Sequence, residues 1–215
     1  LDEIVFFGGP EVGFESTLDN LKGFPHVALD ARRRQELLKT KDDKEFLLKI
    51  AQDTWRYFEN AVNAEHFLVV DHVKTGDFPL VATYTSPTNI AMDLMGAVAA
   101  MELGLITRAQ AEAKIKAVLK TLREVKRWKG FFYNFYETTK LAVGREFVSS
   151  VDNGWLAVAF VVLRQAFPGE IAEEATRFLD EFHFQEFLDP ENNHLMIGYD
   201  CVRNSFTPYH YGMLV

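Results

Sequence analysis

Ser86-Pro87-Thr88-Asn89-Ile90-Ala91-Met92-Asp93-Leu94-Met95-Gly96-Ala97-Val98-Ala99-Ala100-Met101 is the stretch whose reading decides the fold. Ser86 is an N-cap residue, Pro87 suits the first helical position, and Gly104 can end the helix. The body from Ile90 to Met101 is apolar nearly all round, so this helix belongs inside the protein. Thr107 opens the next helix, with Gln110 three residues later as a capping-box partner. There Ala111, Ile115, Val118, Leu119, Leu122 and Val125 form one apolar stripe, and Lys and Glu cover the remaining surface. A buried helix is thus followed by a half-exposed one.

The same order recurs downstream. Ser150 to Asn153 supplies polar capping and Trp155 to Leu163 is apolar all round. Phe167-Pro168-Gly169 makes the turn, and Glu170 to Phe182 is amphipathic. Two copies of this arrangement predict stacked αα-hairpins, inner helices against a core and outer helices shielding them. An ordinary helical bundle is the competing architecture. Upstream, Phe46, Leu47, Ile50, Ala51, Thr54, Phe58 and Val62 recur at helical spacing, predicting a helix from Asp43 to about Asn63. Lys39 to Lys44 reads as a charged connection. Residues 1–42 read as a loop-rich segment with a short strand at Ile4-Val5-Phe6-Phe7, and 43–215 as the helical domain. Between and after the hairpins, Lys129 to Phe147 and Gln185 to Val215 are long, aromatic-rich connections, too apolar for disorder.

Composition limits the chemistry. The chain is 48% hydrophobic with a net charge of -8 and mixed acidic and basic residues, which disfavours nucleic acid as a partner. The longest apolar run, Leu156 to Leu163, is too short for a membrane span. A single cysteine, Cys201, makes an intrachain disulfide impossible and leaves the compartment undetermined. The chain begins at Leu1 with no secretory segment following, so a leader or upstream domain is expected to lie outside it. Six scattered histidines form no metal-ligand array, and no phosphate loop, dinucleotide fingerprint or nucleophile elbow occurs. No metal or cofactor is implied.

Candidate site residues fall in five places. Tyr133-Asn134-Phe135-Tyr136-Glu137 alternates aromatics with an amide and a carboxylate, the mixture that binds both the C–H faces and the hydroxyls of sugars. It also suits a loop pinned to the core, with Glu137 solvated. Asp152, ahead of Asn153-Gly154-Trp155, is explained by helix capping or by a carboxylate facing a cavity at the start of an inner helix. Asp93, inside the apolar helix, needs a partner or a raised pKa. Asp71-His72 and His210, flanked by Tyr209 and Tyr211, complete the set.

Thr54-Trp55-Arg56-Tyr57-Phe58-Glu59, Thr85-Ser86-Pro87-Thr88-Asn89-Ile90, Gly130 to Tyr136, Val148 to Gly154 and His210-Tyr211-Gly212 occur in that order. From about Ala51 to Val215 they resemble the glucoamylase-like family and the helical region of cyclic β-1,2-glucan synthases. The resemblance implies an all-α (α/α) toroid and action on glucans, β-1,2-linked glucan foremost, as a hydrolase or transglycosidase. It implies Glu137 and Asp152 as catalytic carboxylates. Asp71, Asn89, Asp93, Tyr133, Asn134, Tyr136, Trp155 and His210 would then contact the sugar or hold those acids. Where relatives have a Tyr-Asn-Trp-Tyr-Asp run, this chain has Phe135 and Glu137, which moves the carboxylate by one methylene. Five or six helices instead of a toroid's twelve imply an incomplete barrel, with self-association through its open face. A second carboxylate at about 5 Å or about 6.5–9.5 Å would complete a glycosidase site. The competing function is a non-catalytic carbohydrate-binding or scaffold domain.

Overall fold

The computed structural model describes residues 31–74 and 80–211. The expected strand at Ile4–Phe7 and the last residue of the His210-Tyr211-Gly212 run lie outside the described residues. Among the described residues six α-helices form the framework: α1 (Ala31–Lys39), α2 (Asp43–Asn60), α3 (Pro87–Glu102), α4 (Arg108–Glu124), α5 (Ser150–Ala166) and α6 (Glu170–Glu181). The cap chemistry places their starts. Asp42 accepts from Glu45 N to open α2, and Ser86 and Asn89 form a reciprocal capping box on α3. Thr107 and Gln110 form a second box on α4. Gly104 stands at φ +71 just past α3, a left-handed turn that glycine takes without strain. α1 lies within the segment read as loop-rich, where Arg33 ties it to Asp53 of α2 at 2.9 Å.

α3 packs between α2 and α5, α4 backs α3, and α6 backs α5. The two αα-hairpins thus stand side by side, with their more apolar members α3 and α5 in contact. The core is unusually aromatic. Phe131, Phe132, Tyr136, Phe160, Phe167, Phe178 and Phe187 are fully buried, each contributing roughly 1.5–3 kcal/mol by leaving water. Phe160 of α5 stacks on Phe178 of α6 at 4.9 Å, and Phe131 meets Phe182, Phe184 and Phe187 within 5.3 Å.

Helices dominate, but the structure amends the all-α expectation. Thirteen strands of two or three residues, in five small antiparallel sheets, organise the long connections among the described residues. These loops lie against an apolar core, so their backbone N–H and C=O groups must find partners away from water. Short ladders satisfy them. Strand Phe135–Glu137 pairs with Tyr84–Thr85 just before α3, and strand Phe147–Ser149 pairs with Gly198–Asp200 just before α5. Each inner helix is therefore entered from a strand.

The fully buried Asn153 fixes the junction of loops and helices. Its Oδ1 accepts from Phe132 N at 2.8 Å, and its Nδ2 donates to Phe132 O at 2.9 Å and to Ser149 O at 2.8 Å. One face of α5 departs from the buried-all-round reading. Val151, Trp155, Val158 and Val161 are 41–46% exposed, spaced along one side of the helix.

Two neighbouring substitutions should move stability in opposite directions. Asn153→Ala removes three buried hydrogen bonds and should cost on the order of 3 kcal/mol. Gly154→Ala adds a methyl that meets nothing within 4 Å on a helical backbone, and should gain about 0.5–1 kcal/mol. Chemical denaturation midpoints test both, and a stable Asn153→Ala protein would contradict the assignment of Asn153 as the junction.

Candidate active site at the N-termini of the inner helices

The two inner helices begin side by side, and each begins on a serine. Ser149 is the N-cap of α5, accepting from Asp152 N at 3.3 Å. Asp152 is therefore not the cap but a third-position residue, and its carboxylate is free to reach sideways. It does so to α3: Thr88 Oγ1 donates to Asp152 Oδ1 at 2.6 Å. The remaining oxygen has no hydrogen-bond partner among the described residues. The positive ends of both helices favour negative charge at this point. Trp155 follows one turn later on the same side of α5. Its indole is 46% exposed, and residues three positions apart are neighbours on a helix surface. The result is a carboxylate fixed by one oxygen, beside an open aromatic surface.

Tyr211 lies within electrostatic range of Asp152. Burial raises its phenol pKa first, and the charge of Asp152 raises it further, while the Ser149 hydroxyl offsets part of the rise. Asp152, Ser149 and Thr88 thus form one hydrogen-bonded cluster, with Trp155 one turn along α5. The sequence reading contained Asp152 and Trp155 but not Thr88 as a site residue. The signal was present: Thr88 directly follows the helix-starting proline.

The Tyr133–Glu137 run has a different fate. Tyr136 is fully buried; its hydroxyl accepts from Tyr133 N at 2.8 Å and donates to Lys126 O at 2.7 Å. Burial drives its pKa well above that of an ordinary tyrosine. Tyr133 is 4% exposed, with Lys126 Nζ 5.3 Å above its ring. Asn134 N donates to Phe147 O at 2.7 Å, and the buried Asn134 Oδ1 lacks a hydrogen-bond partner among the described residues. Glu137 accepts from Thr139 N, from Thr139 Oγ1 at 2.6 Å and from Lys140 N at 2.6 Å. Its carboxylate closes its own turn. The pinned-loop reading of this segment describes its geometry, and Tyr136 offers no open surface to a sugar. Asn89 is likewise occupied, as the capping-box partner of Ser86.

On the neighbouring sheet, Tyr84 lies opposite Glu137 and packs edge-on against Phe135 at 5.1 Å. Asp71 joins this face: its N donates to Tyr84 O at 2.7 Å, and Asp71 Oδ2 lies 2.9 Å from His72 Nδ1. Burial raises the Tyr84 phenol, and the charge of Asp71 adds to the rise. Asp93 is held apart. It is 1% exposed within α3 and ion-paired at 3.0 Å to Lys114 of α4, which also donates to Phe58 O. Burial pushes its pKa up to about 6, against the opposing pull of Lys114. His210 Nε2 stands 2.8 Å from Asp189 Oδ2. Among the described residues no group of three or more His, Cys, Asp and Glu side chains is arranged to hold a metal, and no helix is long and apolar enough to cross a membrane.

With this geometry in place, residues 49–198 match the family described as "Protein of unknown function (DUF3131)". The chain is 34% identical over 133 residues to the cyclic β-(1,2)-glucan synthase NdvB of Rhizobium meliloti, covering 61% of this chain and 5% of that protein. A glucoamylase-like protein from Bacteroides fragilis shares the fold with a TM-score of 0.66 at 14% identity, covering 77% of this chain and 43% of that one. An endo-β-1,2-glucanase from Chitinophaga pinensis, in complex with sophorotriose and glucose, does so with a TM-score of 0.63 at 13% identity, covering 76% and 42%. The chain therefore spans less than half the length of these proteins. The resemblance read from the sequence motifs is thus found again in both sequence and fold.

The Asp93–Lys114 pair makes a pH prediction. The folded-state pKa lies above the unfolded value of about 3.9, so the folded protein binds more protons between those two values. Stability from this group is largest below about pH 4 and declines as pH rises through about 6. Asp93→Asn removes the titration. The stability advantage of the parent protein over this variant should therefore shrink by on the order of 3 kcal/mol between pH 4 and pH 7. Denaturation curves at both pH values measure it, and a pH-independent difference would contradict it.

Proposed function

The chain belongs to the DUF3131 family, and we propose that it forms one wall of the substrate groove of a glucan-acting glycoside hydrolase or transglycosidase. In this reading the two hairpins are part of an (α/α) toroid, and β-1,2-linked glucan is the substrate class. The fold shared with an endo-β-1,2-glucanase and the sequence shared with part of a cyclic β-(1,2)-glucan synthase support it. The observation that carries it is Asp152, gripped by Thr88 through one oxygen and open at the other, with Trp155 half exposed one turn away.

In the proposed mechanism Trp155 receives the apolar face of a glucose ring. Thr88 fixes the carboxylate rotamer so that the free oxygen of Asp152 points to the reacting sugar. The helix N-termini stabilise negative charge there, which suits Asp152 as the base that activates water or as the nucleophile. A second carboxyl must protonate the leaving oxygen. Asp71 and Glu137 are the candidates on the adjacent sheet face, and Asp71 has the fewer turn contacts. Asp93, sealed between α3 and α4, acts as a structural ion pair.

The hydrogen bonds that hold Glu137 in its turn favour a second reading. If no carboxyl group stands opposite Asp152 to supply a proton, the groove binds glucan without cleaving it.

Incubating the full natural protein with β-1,2-glucan and with starch, and separating the products by chromatography, tests both readings. β-1,2-Glucan should be shortened or cyclised, and Asp152→Asn should lower the rate by roughly 100-fold or more. Glu137→Gln should have a far smaller effect. Oligosaccharide binding without product would support the second reading, and neither binding nor product would overturn both.

A further inference from the structure

The proposed mechanism draws on Asp71 and leaves its neighbours His72, Tyr84 and Phe135 without a task. Backbone pairing brings these four residues together from three separate stretches of chain. Asp71 N donates to Tyr84 O at 2.7 Å, and Ala82 N donates to His72 O at 2.9 Å. Strand Val73–Lys74 continues the alignment against strand Leu80–Val81, with Val73 opposite Val81. From the other side, Thr138 donates to Thr83 O through N at 2.9 Å and through Oγ1 at 2.6 Å. The strand Tyr84–Thr85 is thereby fixed along both edges.

The two faces of this strand pair are unlike. Residues directly opposite in an antiparallel pair share a face, and neighbours along a strand alternate. Thr85 and Tyr136 stand opposite one another and are fully buried, so they form the inner face. Tyr84 and Glu137, the adjoining pair, turn the other way, and Phe135 shares their side. Tyr84 and Phe135 meet edge-on, with centroids 5.1 Å apart and planes at 79°. The His72 ring meets Tyr84 at 6.3 Å and 80°. Three rings in succession, each nearly perpendicular to the next, make a stepped aromatic corner. Beside it Asp71 Oδ2 stands 2.9 Å from His72 Nδ1, and the two side chains are 27% and 33% exposed. Glu137 is engaged in its own turn, which leaves Asp71 as the carboxylate beside the corner.

We infer that this corner is a second sugar subsite. Tyr84 and Phe135 receive a glucose ring, Asp71 accepts from its hydroxyls, and His72 is the positioning residue that fixes the carboxylate. This rests on the glucan-groove reading. Perpendicular rings offer a face to the apolar C–H side of a sugar and an edge to its flank, and a carboxylate has acceptor sites for two hydroxyls. Chain geometry keeps the corner near Asp152. Tyr84 precedes Thr88 by four residues, at most about 14 Å of extended chain, and Thr88 Oγ1 lies 2.6 Å from Asp152 Oδ1. A glucan of a few rings spans that distance, so one molecule can lie on Trp155 and in the corner together. Asp71 then stands beside a held ring, as a proton donor to the leaving oxygen must.

The test uses the full natural protein with β-1,2-linked oligosaccharides from a disaccharide upward, measuring Kd by calorimetry and thermal unfolding beside it. Tyr84→Leu and Phe135→Leu keep apolar bulk but lose the flat ring, and each should weaken binding of the longer oligosaccharides about tenfold. Binding of the disaccharide, which Trp155 accommodates alone, should be unchanged. Phe135→Trp enlarges the aromatic surface and should tighten the longer ligands roughly threefold. His72→Ala should weaken them as Phe135→Leu does. His72→Asn, which returns a polar group to the place of Nδ1, should recover most of that loss. A purely structural role predicts lowered unfolding temperatures, equal losses at every ligand length and no gain from Phe135→Trp, and that outcome would overturn the inference. Unaltered Kd at all lengths, in a parent protein that binds, would overturn it too. A parent protein that binds no glucan of any length would overturn the groove reading beneath it as well.

Discussion

The Asn153 carboxamide makes its hydrogen bonds in a place no water reaches, joining the first turn of α5 to the strand Phe131–Phe132 and to the cap residue Ser149. An unpaired amide at that depth costs more than the net value of the bonds it makes. Helix, strand and cap therefore form together or not at all. The aromatic cluster around Phe131, Phe132, Phe160 and Phe178 supplies the apolar burial, but it is indifferent to small shifts of register. The amide is not. Because Asp152 precedes Asn153, the same clamp that orders the core also aims the candidate carboxylate.

Four carboxylates show how environment divides one chemical group among several tasks. Asp93 lies in the core, where burial raises its pKa and Lys114 partly offsets the cost. Glu137 is surrounded by turn donors and shapes the loop that follows it. Asp189 is fixed by Glu191 N and Asn192, and backbone hydrogen bonding to Glu191 N is the main cause of its lowered pKa. Asp152 alone among these combines a single strong hydrogen bond, partial exposure and a neighbouring open aromatic ring. Its claim to chemistry comes from that combination and not from its being acidic.

Much of the framework was legible in the sequence because caps and periodicity are local. Ser86, Thr107 and Gln110 act at the positions their spacing predicts, and the alternation of inner and outer helices follows from the apolar pattern. The short ladders of the long connections were not legible, since two-residue strands carry no periodic signal and arise only where a buried backbone needs partners. The residue types of the Tyr133–Glu137 run suited both a pinned loop and a sugar platform. Residue types alone could not reveal that Tyr136 points its hydroxyl at Lys126 O.

What the sequence by itself determined is the helices α2 to α6, the caps that start them, the order of inner and outer members and the absence of familiar cofactor motifs, all of which depend on neighbours within a few positions. What only the tertiary structure decided is which polar residues face one another. Thr88 meets Asp152 across 64 positions and Asn153 meets Phe132 across 21, distances along the chain over which no spacing rule operates. Packing of α3 against α5 brings the first pair together, and burial of the aromatic strand enforces the second. The physical reason is that a hydrogen bond is short and directional, so its partners are chosen by the fold and not by the chain.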